Sequence, residues 1–244
     1  MPVSFKIISE VSLFLRKDPK EPTPNFTNQA MTERAYSFID EFIINLDKGL
    51  RTVFGHPGST GRPHPVAGIG EAALSEAERR VSAGLMRVNH TGEVCAQALY
   101  QGQALTARSA LVQEKMAQSA WEENDHLLWC ESRVKELDGH TSYLNPLWYL
   151  GSLSIGALAG LAGDRWSLGF VAETERQVVK HLHGHLLRLP PQDAKSRAIV
   201  QQMEEDEARH ATVAIETGAA ELPLVVKRGM SAGSRVMTSL AYWL

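Results

Sequence analysis

Residues 121–130, WEENDHLLWC, place a carboxylate and an imidazole three positions apart, at Glu123 and His126. The same spacing recurs in the segment MEEDEARHAT, at Glu207 and His210. Side chains three positions apart lie on the same face of an α-helix. The repeated pair predicts either one metal site shared between two helices or two ordinary polar patches, and the surrounding residues distinguish these alternatives.

Downstream of residue 66 the chain has the apolar spacing of α-helices throughout. The Gly/Pro-rich segment FGHPGSTGRPHPV, residues 54–66, precedes this region. Apolar residues then recur at intervals of three and four, without the alternating pattern of a strand. The predicted helices cover residues 71–108, 110–137, about 145–163, 164–189 and 192–217, and an amphipathic tail covers 222–244. The predicted fold class is therefore all-α.

The chain divides into two predicted parts. Residues 1–66 form an N-terminal extension, with a short amphipathic helix that begins near Met31 and the Gly/Pro linker. Residues 67–244 form the helical bundle domain. The first 30 residues carry three acidic side chains and no secretory cleavage pattern. We therefore predict a dispensable extension rather than a targeting signal.

The composition limits the function classes. A formal net charge of −3 gives no basic footprint for a nucleic-acid partner. A hydrophobic content of 43% is typical of a globular protein. Cys95 and Cys130 both fall in predicted helices, and we interpret them as reduced thiols of a reducing compartment.

Several acidic residues fall on faces that should be buried. On the helix predicted over residues 110–137, Glu123 lies in the middle of an apolar stripe. Glu175 lies in the same way on the helix over 164–189, and Glu93 shares a mixed face with Tyr100. Burying a carboxylate is costly unless another charge compensates it. These positions therefore indicate a shared site.

The acidic residues follow a repeating order of lone Glu, Glu-x-x-His, lone Glu and Glu-x-x-His. The steps from lone to paired Glu are 30 and 32 residues, so each half of the domain is a helical hairpin. Ferritin-like four-helix bundles with two carboxylate-bridged metal ions have this arrangement. Oxygen and nitrogen ligands favour iron or manganese, and four carboxylates neutralise two divalent cations. The predicted metal ligands are Glu93, Glu123, His126, Glu175, Glu207 and His210.

Four segments resemble the 5-demethoxyubiquinone hydroxylases (3-demethoxyubiquinol 3-hydroxylases) of ubiquinone biosynthesis: MRVNHTGEVCAQALYQGQ, WEENDHL, GFVAETERQVVKHLHGHL and MEEDEARHA. The resemblance covers about residues 31–244, and it implies that the same six residues bind iron. It also implies that His181 lies close to the metals, and Tyr100 is a second candidate to support them. One departure is Asn89, which stands where the family has an acidic residue.

The resemblance implies a monooxygenase with two iron ions per chain. The substrates would be O₂ and a polyprenylated quinol, with NADH or the quinol itself as the source of electrons. Partner proteins of ubiquinone biosynthesis are a further implication. The alternatives are a ferritin-like iron store or ferroxidase, a dinuclear oxygenase that acts on another membrane lipid, and a structural bundle whose polar core residues satisfy one another.

A polyprenylated substrate predicts helices that contact a membrane. Residues 141–163 carry no charge, and their length would permit a transmembrane helix. Pro146 and four internal glycines instead favour a helix that lies at the membrane interface or covers the bundle. The tail over 222–244 is predicted either to add a second contact or to pack on the bundle. We therefore predict a peripheral protein on the cytoplasmic side of a bacterial inner membrane.

Overall fold

The computed structural model describes residues 37–56 and 58–244, in which all regular structure is helical. The predicted extension over residues 1–30 lies outside these residues. The described part forms one compact unit, Phe38–Leu244. Its seven helices are α1 Phe38–Phe54, α2 Glu76–Thr106, α3 Ala110–Glu136, α4 Asn145–Leu161, α5 Asp164–Arg188, α6 Ala194–Glu216 and α7 Leu224–Ala241. The all-α prediction is confirmed.

Helices α2, α3, α5 and α6 pack as a four-helix bundle. Residues 107–109 join α2 to α3, and residues 189–193 join α5 to α6. Connections this short hold consecutive helices antiparallel. The longer connection over 137–163 contains α4, which packs along α2. The result is two hairpins linked by one crossover.

Local signals set the ends of the bundle helices. Helix α2 begins at Glu76 rather than at residue 71, because Ser75 and Glu78 form a capping box. Helix α3 ends where Asp138 adopts φ 56° and the Gly139 N–H donates to the Val134 carbonyl at 2.9 Å. This left-handed turn ends the helix and changes the direction of the chain, which permits the crossover.

The bundle core consists of two apolar layers. One contains Leu85, Met86, Cys130, Val134, Leu182, Ile199, Val200 and Met203; the other contains Tyr100, Val112, Met116, Leu168, Val171, Ala172 and Ala214. On every bundle helix the predicted metal ligands fall between the members of these layers. Each large apolar side chain stabilises the fold by about 1.5–3 kcal/mol when fully buried. The two apolar layers therefore supply stability that the polar residues between them do not.

Helix α4 covers the bundle by close contact with α2. A Cβ atom at Gly102 would collide with the Leu153 carbonyl oxygen, and one at Gly156 would collide with the Leu99 carbonyl oxygen. Glycine at both positions thus allows the two backbones to touch. No helix of the described residues has the length and apolarity needed to cross a membrane.

The C-terminal tail, which consists mostly of helix α7, packs against the bundle. Arg87 Nη1 on α2 donates to the Tyr242 carbonyl at 2.8 Å. The Tyr143 N–H donates to the Leu244 carbonyl at 2.9 Å. The predicted packing of the tail on the bundle is confirmed, whereas contact of α4 or α7 with a membrane stays a prediction.

The histidines of the segment HLHGH differ in their burial. The pattern of this segment predicts exposed side chains at the end of a helix, and His183 is exposed. The prediction is wrong for His185, which is buried on α5. Burial, together with the charges of His181 and Arg188, lowers the pKa of His185 to about 2. His185 is therefore neutral in the folded protein across the neutral and mildly acidic range.

We expect His185 to make the metal-free protein less stable in acid. Its folded pKa lies below its unfolded value of 6.5, so its contribution is complete above pH 6.5 and is lost as the pH falls toward about 2. Between pH 7.5 and pH 5 the loss is roughly 2 kcal/mol. His185→Leu should remove this part of the pH dependence in urea unfolding followed by circular dichroism. His183→Leu is the control, and equal pH dependence in wild type and His185→Leu would contradict the assignment.

Candidate metal centre

All six predicted metal ligands lie in the middle of the bundle. Glu93 comes from α2, Glu123 and His126 from α3, Glu175 from α5, and Glu207 and His210 from α6. Every one of these side chains is buried. Four of them, Glu93, Glu123, His126 and Glu207, each offer a ligand atom within 4.8 Å of the others. The structure brings the six residues together, and their assignment as ligands stays a prediction.

Both imidazoles face the cluster through Nδ1. His126 Nδ1 lies 2.7 Å from Glu123 Oε2 and 3.2 Å from Glu207 Oε1. His210 Nδ1 lies 2.9 Å from Glu123 Oε1 and 3.2 Å from Glu207 Oε2. Glu123 and Glu207 therefore stand between the two histidines. The outer carboxylate Glu93 approaches His126 Nδ1 at 3.8 Å.

Two further carboxylates hold the outer nitrogens of the histidines. His126 Nε2 lies 3.0 Å from Asp206 Oδ2, and His210 Nε2 lies 3.0 Å from Glu122 Oε2. A carboxylate on the outer nitrogen fixes the orientation and tautomer of a metal-binding imidazole. Neither Asp206 nor Glu122 is among the residues predicted from the sequence. The available signal was an acidic doublet, since Glu122 precedes Glu123 and Asp206 precedes Glu207.

The two predicted supporting residues occupy different places. The Tyr100 hydroxyl donates to Glu175 Oε1 at 2.5 Å, so it contacts a predicted ligand directly. His181 lines the cavity beside the cluster, and its ring centroid lies 4.0 Å from that of His185. Asn89 lines the same cavity and is buried, with no hydrogen-bond partner for its amide oxygen. Cys95 also lines this cavity.

The pKa shifts show how the cluster carries its charge without cations. Burial and the neighbouring carboxylates raise the pKa values of Glu93 and Glu175 well above the usual range. Burial opposes ionisation of Glu123, yet His126 and His210 hold its pKa well below the usual range. Burial alone would lower the pKa of His210, but Glu123 and Glu207 raise it to about 12. Protons on two of the carboxyl groups and on the imidazoles thus offset the carboxylate charge within the cluster.

The geometry of the cluster fits metal ions better than hydrogen bonds. Both Glu123 carboxylate oxygens and His126 Nδ1 are buried without a well-aligned hydrogen-bond partner, although they lie close together. Buried polar groups left in this way are costly. Carboxylate oxygens and imidazole nitrogens that point at a common centre are the ligands of iron and manganese sites.

A mostly apolar cavity of about 530 Å³ lies beside the cluster. Its inner end is formed by the buried carboxylates Glu93, Glu175 and Glu207. Its outer end includes Ile155 on α4 and Val226 on α7, which are 48% and 40% exposed. The cavity therefore connects the metal-ligand positions to the surface between α4 and α7.

The fold and the cluster define a class: four-helix bundles whose core carries a carboxylate and histidine site for two metal ions. The model of the family described as "Ubiquinone biosynthesis protein COQ7" matches residues 80–241. The chain belongs to this family.

Curated relatives from bacteria are similar along almost their whole length. The chain is 63% identical to the 3-demethoxyubiquinol 3-hydroxylase of Nitrosococcus oceani, over 88% of this chain and 100% of the relative. It is 60% identical to the enzyme of the same name from Nitrosospira multiformis, over 84% and 99%. The protein of that name from Chromobacterium violaceum is 58% identical, over 84% and 98%.

A solved structure, the dodecameric thioferritin of Bacteroides fragilis, is a distant neighbour. It is 18% identical, covers 57% of this chain and 84% of its own, and superposes with a TM-score of 0.48. This likeness is too weak to bear on the assignment.

We expect Glu175→Gln to separate metal binding from folding. The raised pKa of Glu175 keeps it protonated without metal, so an amide of the same size should leave the stability of the metal-free protein almost unchanged. Loss of the carboxylate should weaken Fe²⁺ binding at least roughly tenfold and lower the iron content below two per chain. Anaerobic titration and thermal unfolding, with and without Fe²⁺, measure both effects.

Glu205→Gln is the matched control for this experiment. Glu205 is an exposed carboxylate on α6, two residues from Glu207 in sequence. Its replacement should change neither measurement. Wild-type iron content and affinity in Glu175→Gln would remove Glu175 from the site.

Proposed function

We propose that the protein is a 3-demethoxyubiquinol 3-hydroxylase that adds one oxygen atom of O₂ to the aromatic ring of a demethoxyubiquinol. The observation that carries the proposal is the buried Glu and His cluster at the inner end of an apolar cavity. Family membership and relatives of this name at 63% and 60% identity support the same substrate.

The cluster supplies two sets of ligands. One iron would be held by Glu93 and His126, the other by Glu175 and His210. Glu123 and Glu207 contact both imidazoles and would complete the ligand set between them. The four carboxylates would neutralise two Fe²⁺ ions, and binding would release the protons that the raised pKa values of Glu93 and Glu175 retain.

The bound iron would supply the activation of O₂ that an aromatic hydroxylation requires. The chain itself positions the reactants. Asp206 and Glu122 orient the two imidazoles through their outer nitrogens. The Tyr100 hydroxyl donates to Glu175 and so holds its carboxyl group in place. The apolar walls of the cavity would exclude water, and a ring at its inner end would lie beside Glu93 and Glu175.

The balance of the reaction requires a two-electron donor. One oxygen atom enters the ring and the other leaves as water, with two electrons and two protons consumed. NADH is the donor in this proposal, or the quinol itself, which would then leave as the hydroxylated quinone. Comparing conversion with each donor alone distinguishes them.

Oxygen labelling tests the proposed reaction. Purified protein with two Fe²⁺ ions, demethoxyubiquinol with a short prenyl tail, a donor and ¹⁸O₂ should give a hydroxylated quinol that carries one ¹⁸O atom. The Fe²⁺-only reaction of a ferroxidase gives oxidised iron and no labelled quinol. Iron oxidation without hydroxylated product would therefore support the iron-storage alternative and reject the proposal.

We expect Gly92→Leu to block the cavity without disturbing the metals. A Cβ at Gly92 meets no atom within 4 Å, and the residue lines the cavity on α2. The new side chain should fill part of the cavity and lower conversion roughly tenfold or more. The iron content should stay at two, and the change from Gly should favour the helix by up to about 0.8 kcal/mol.

Gly184→Leu is the matched control for the cavity. Gly184 lies within α5 with no atom within 4 Å of its added Cβ, and it does not line the cavity. Its variant should retain wild-type conversion. Equal conversion by wild type and Gly92→Leu would show that the substrate does not use this cavity.

The outer end of the cavity supports a peripheral membrane location, and the side of the membrane in this proposal is the cytoplasmic side of the inner membrane that the sequence predicts. Exposed apolar side chains follow the two helices that flank it: Leu147, Leu150, Leu158 and Leu161 on α4, and Leu224, Val225, Val236 and Leu240 on α7. A substrate with a prenyl tail would enter from the lipid phase between these helices. Exposed apolar surface of this kind marks an interaction site.

We expect the double variant Leu150→Glu, Leu158→Glu to bind vesicles at least roughly tenfold more weakly than wild type. Each leucine that enters lipid contributes about 1.5–3 kcal/mol. Co-sedimentation with phosphatidylethanolamine and phosphatidylglycerol vesicles measures the effect. Leu187→Glu, which changes an exposed leucine on α5, is the control. Unchanged binding of the double variant would exclude α4 from the membrane contact.

A further inference from the structure

Arg62 connects the segment before the bundle to both Glu-x-x-His helices. Its Nε lies 2.9 Å from Asp125 Oδ2 on α3, and its Nη1 lies 2.7 Å from Asp206 Oδ2 on α6. Both carboxylates are buried. Asp125 immediately precedes His126, and Asp206 immediately precedes Glu207. One guanidinium therefore contacts the chain neighbour of a proposed ligand on each helix.

The contacts of Arg62 converge on His126. Asp206 Oδ2, which accepts from Arg62, also contacts His126 Nε2 at 3.0 Å. The guanidinium carbon lies 4.5 Å from the centroid of the Trp129 ring, and that ring lies 5.5 Å from the imidazole of His126. Arg62 thus touches two of the groups that surround the outer side of the imidazole.

The segment that carries Arg62 is anchored independently of the guanidinium. Asp125 Oδ1 accepts hydrogen bonds from Ser59 Oγ at 2.8 Å and from the Thr60 N–H at 2.9 Å. Thr60 Oγ1 donates to the other oxygen of the same carboxylate. The position of Arg62 is therefore set by the segment, and the segment is set by a buried carboxylate on α3.

We propose that Arg62 is a positioning residue for the metal centre: its guanidinium fixes Asp206 against His126 and ties the two Glu-x-x-His helices together. The planar fork of arginine can contact two carboxylates at once, which the single ammonium of lysine does less well. A partner one step beyond a metal ligand sets the orientation of that ligand. Arg62 lies outside residues 80–241, so it is not part of the pattern by which the family is recognised.

This inference rests on the proposed function only through the assignment of His126 as a ligand. Two Fe²⁺ ions bound to the wild-type chain establish the reference state. If the wild-type chain binds no iron, the proposed function fails. If it binds iron and the variants below behave like wild type, the inference about Arg62 fails.

Arg62→Gln in the full chain is the test. It should lower Fe²⁺ affinity about tenfold in anaerobic competition with a chelator. It should also broaden one of the two signals of ⁵⁷Fe²⁺-loaded protein in Mössbauer spectroscopy, because one imidazole loses its fixed orientation. A merely structural residue would lower the thermal midpoint of the metal-free protein and leave the affinity and the spectrum unchanged, which would overturn the inference.

A double-mutant comparison identifies Asp206 as the intermediary. Asp206→Asn should weaken Fe²⁺ binding 10–100-fold. Arg62→Gln in the Asp206→Asn background should add little, because the two changes interrupt the same chain of contacts. Losses that multiply instead would show that Arg62 acts independently of Asp206 and would overturn the inference.

Two further variants complete the design. Arg79→Gln removes an arginine that pairs with Asp138 on the surface, and it should leave the metal measurements unchanged. If Arg62→Gln does not fold, Arg62→Lys takes its place, since it keeps the charge and loses the second contact. Wild-type affinity and spectrum in Arg62→Lys would then overturn the inference.

Discussion

Four carboxylates buried in the core of one bundle are the constraint on which the rest of this structure depends. Like charges in a medium of low dielectric constant repel strongly, and each loses its hydration. The cation-free protein meets this cost by keeping Glu93 and Glu175 protonated and by pairing Glu123 with two charged imidazoles. Two divalent cations would meet it more completely, because they would neutralise the carboxylates and take the place of the hydrogen bonds that Glu123 lacks.

The scaffold supplies the stability that such a layer cannot. Apolar layers lie on both sides of it, and each bundle helix contributes to both. The connection between the two hairpins also has a second role, in forming the cavity. Its helix α4 packs on α2 through Gly102 and Gly156 and so forms one wall of the cavity that reaches the carboxylates. Substrate access and bundle closure therefore depend on the same helix contact.

Contacts on the outer nitrogens of the two histidines hold the layer of carboxylates in place. Each imidazole points one nitrogen at the cluster and the other at a carboxylate that precedes a proposed ligand on the opposite helix. Arg62 adds a contact from a segment that the sequence assigned to a linker. Residues of three chain segments thus hold the centre in place, and Arg62 supplies positive charge to Asp125 and Asp206.

The sequence by itself determined the helices of the bundle and the six Glu and His residues that meet in its core. Apolar periodicity, stop signals such as Asp138-Gly139 and the repeated Glu-x-x-His spacing are local properties, and a helix converts them directly into faces. The sequence did not reveal the burial of His185, the contacts of Asp206 and Glu122 with the histidines, or the contacts of Arg62 with α3 and α6. Those features depend on which helices pack against each other and on the rotation of each helix about its own axis. Only tertiary packing decides this, because contacts between residues far apart in the chain leave no fixed spacing in the sequence.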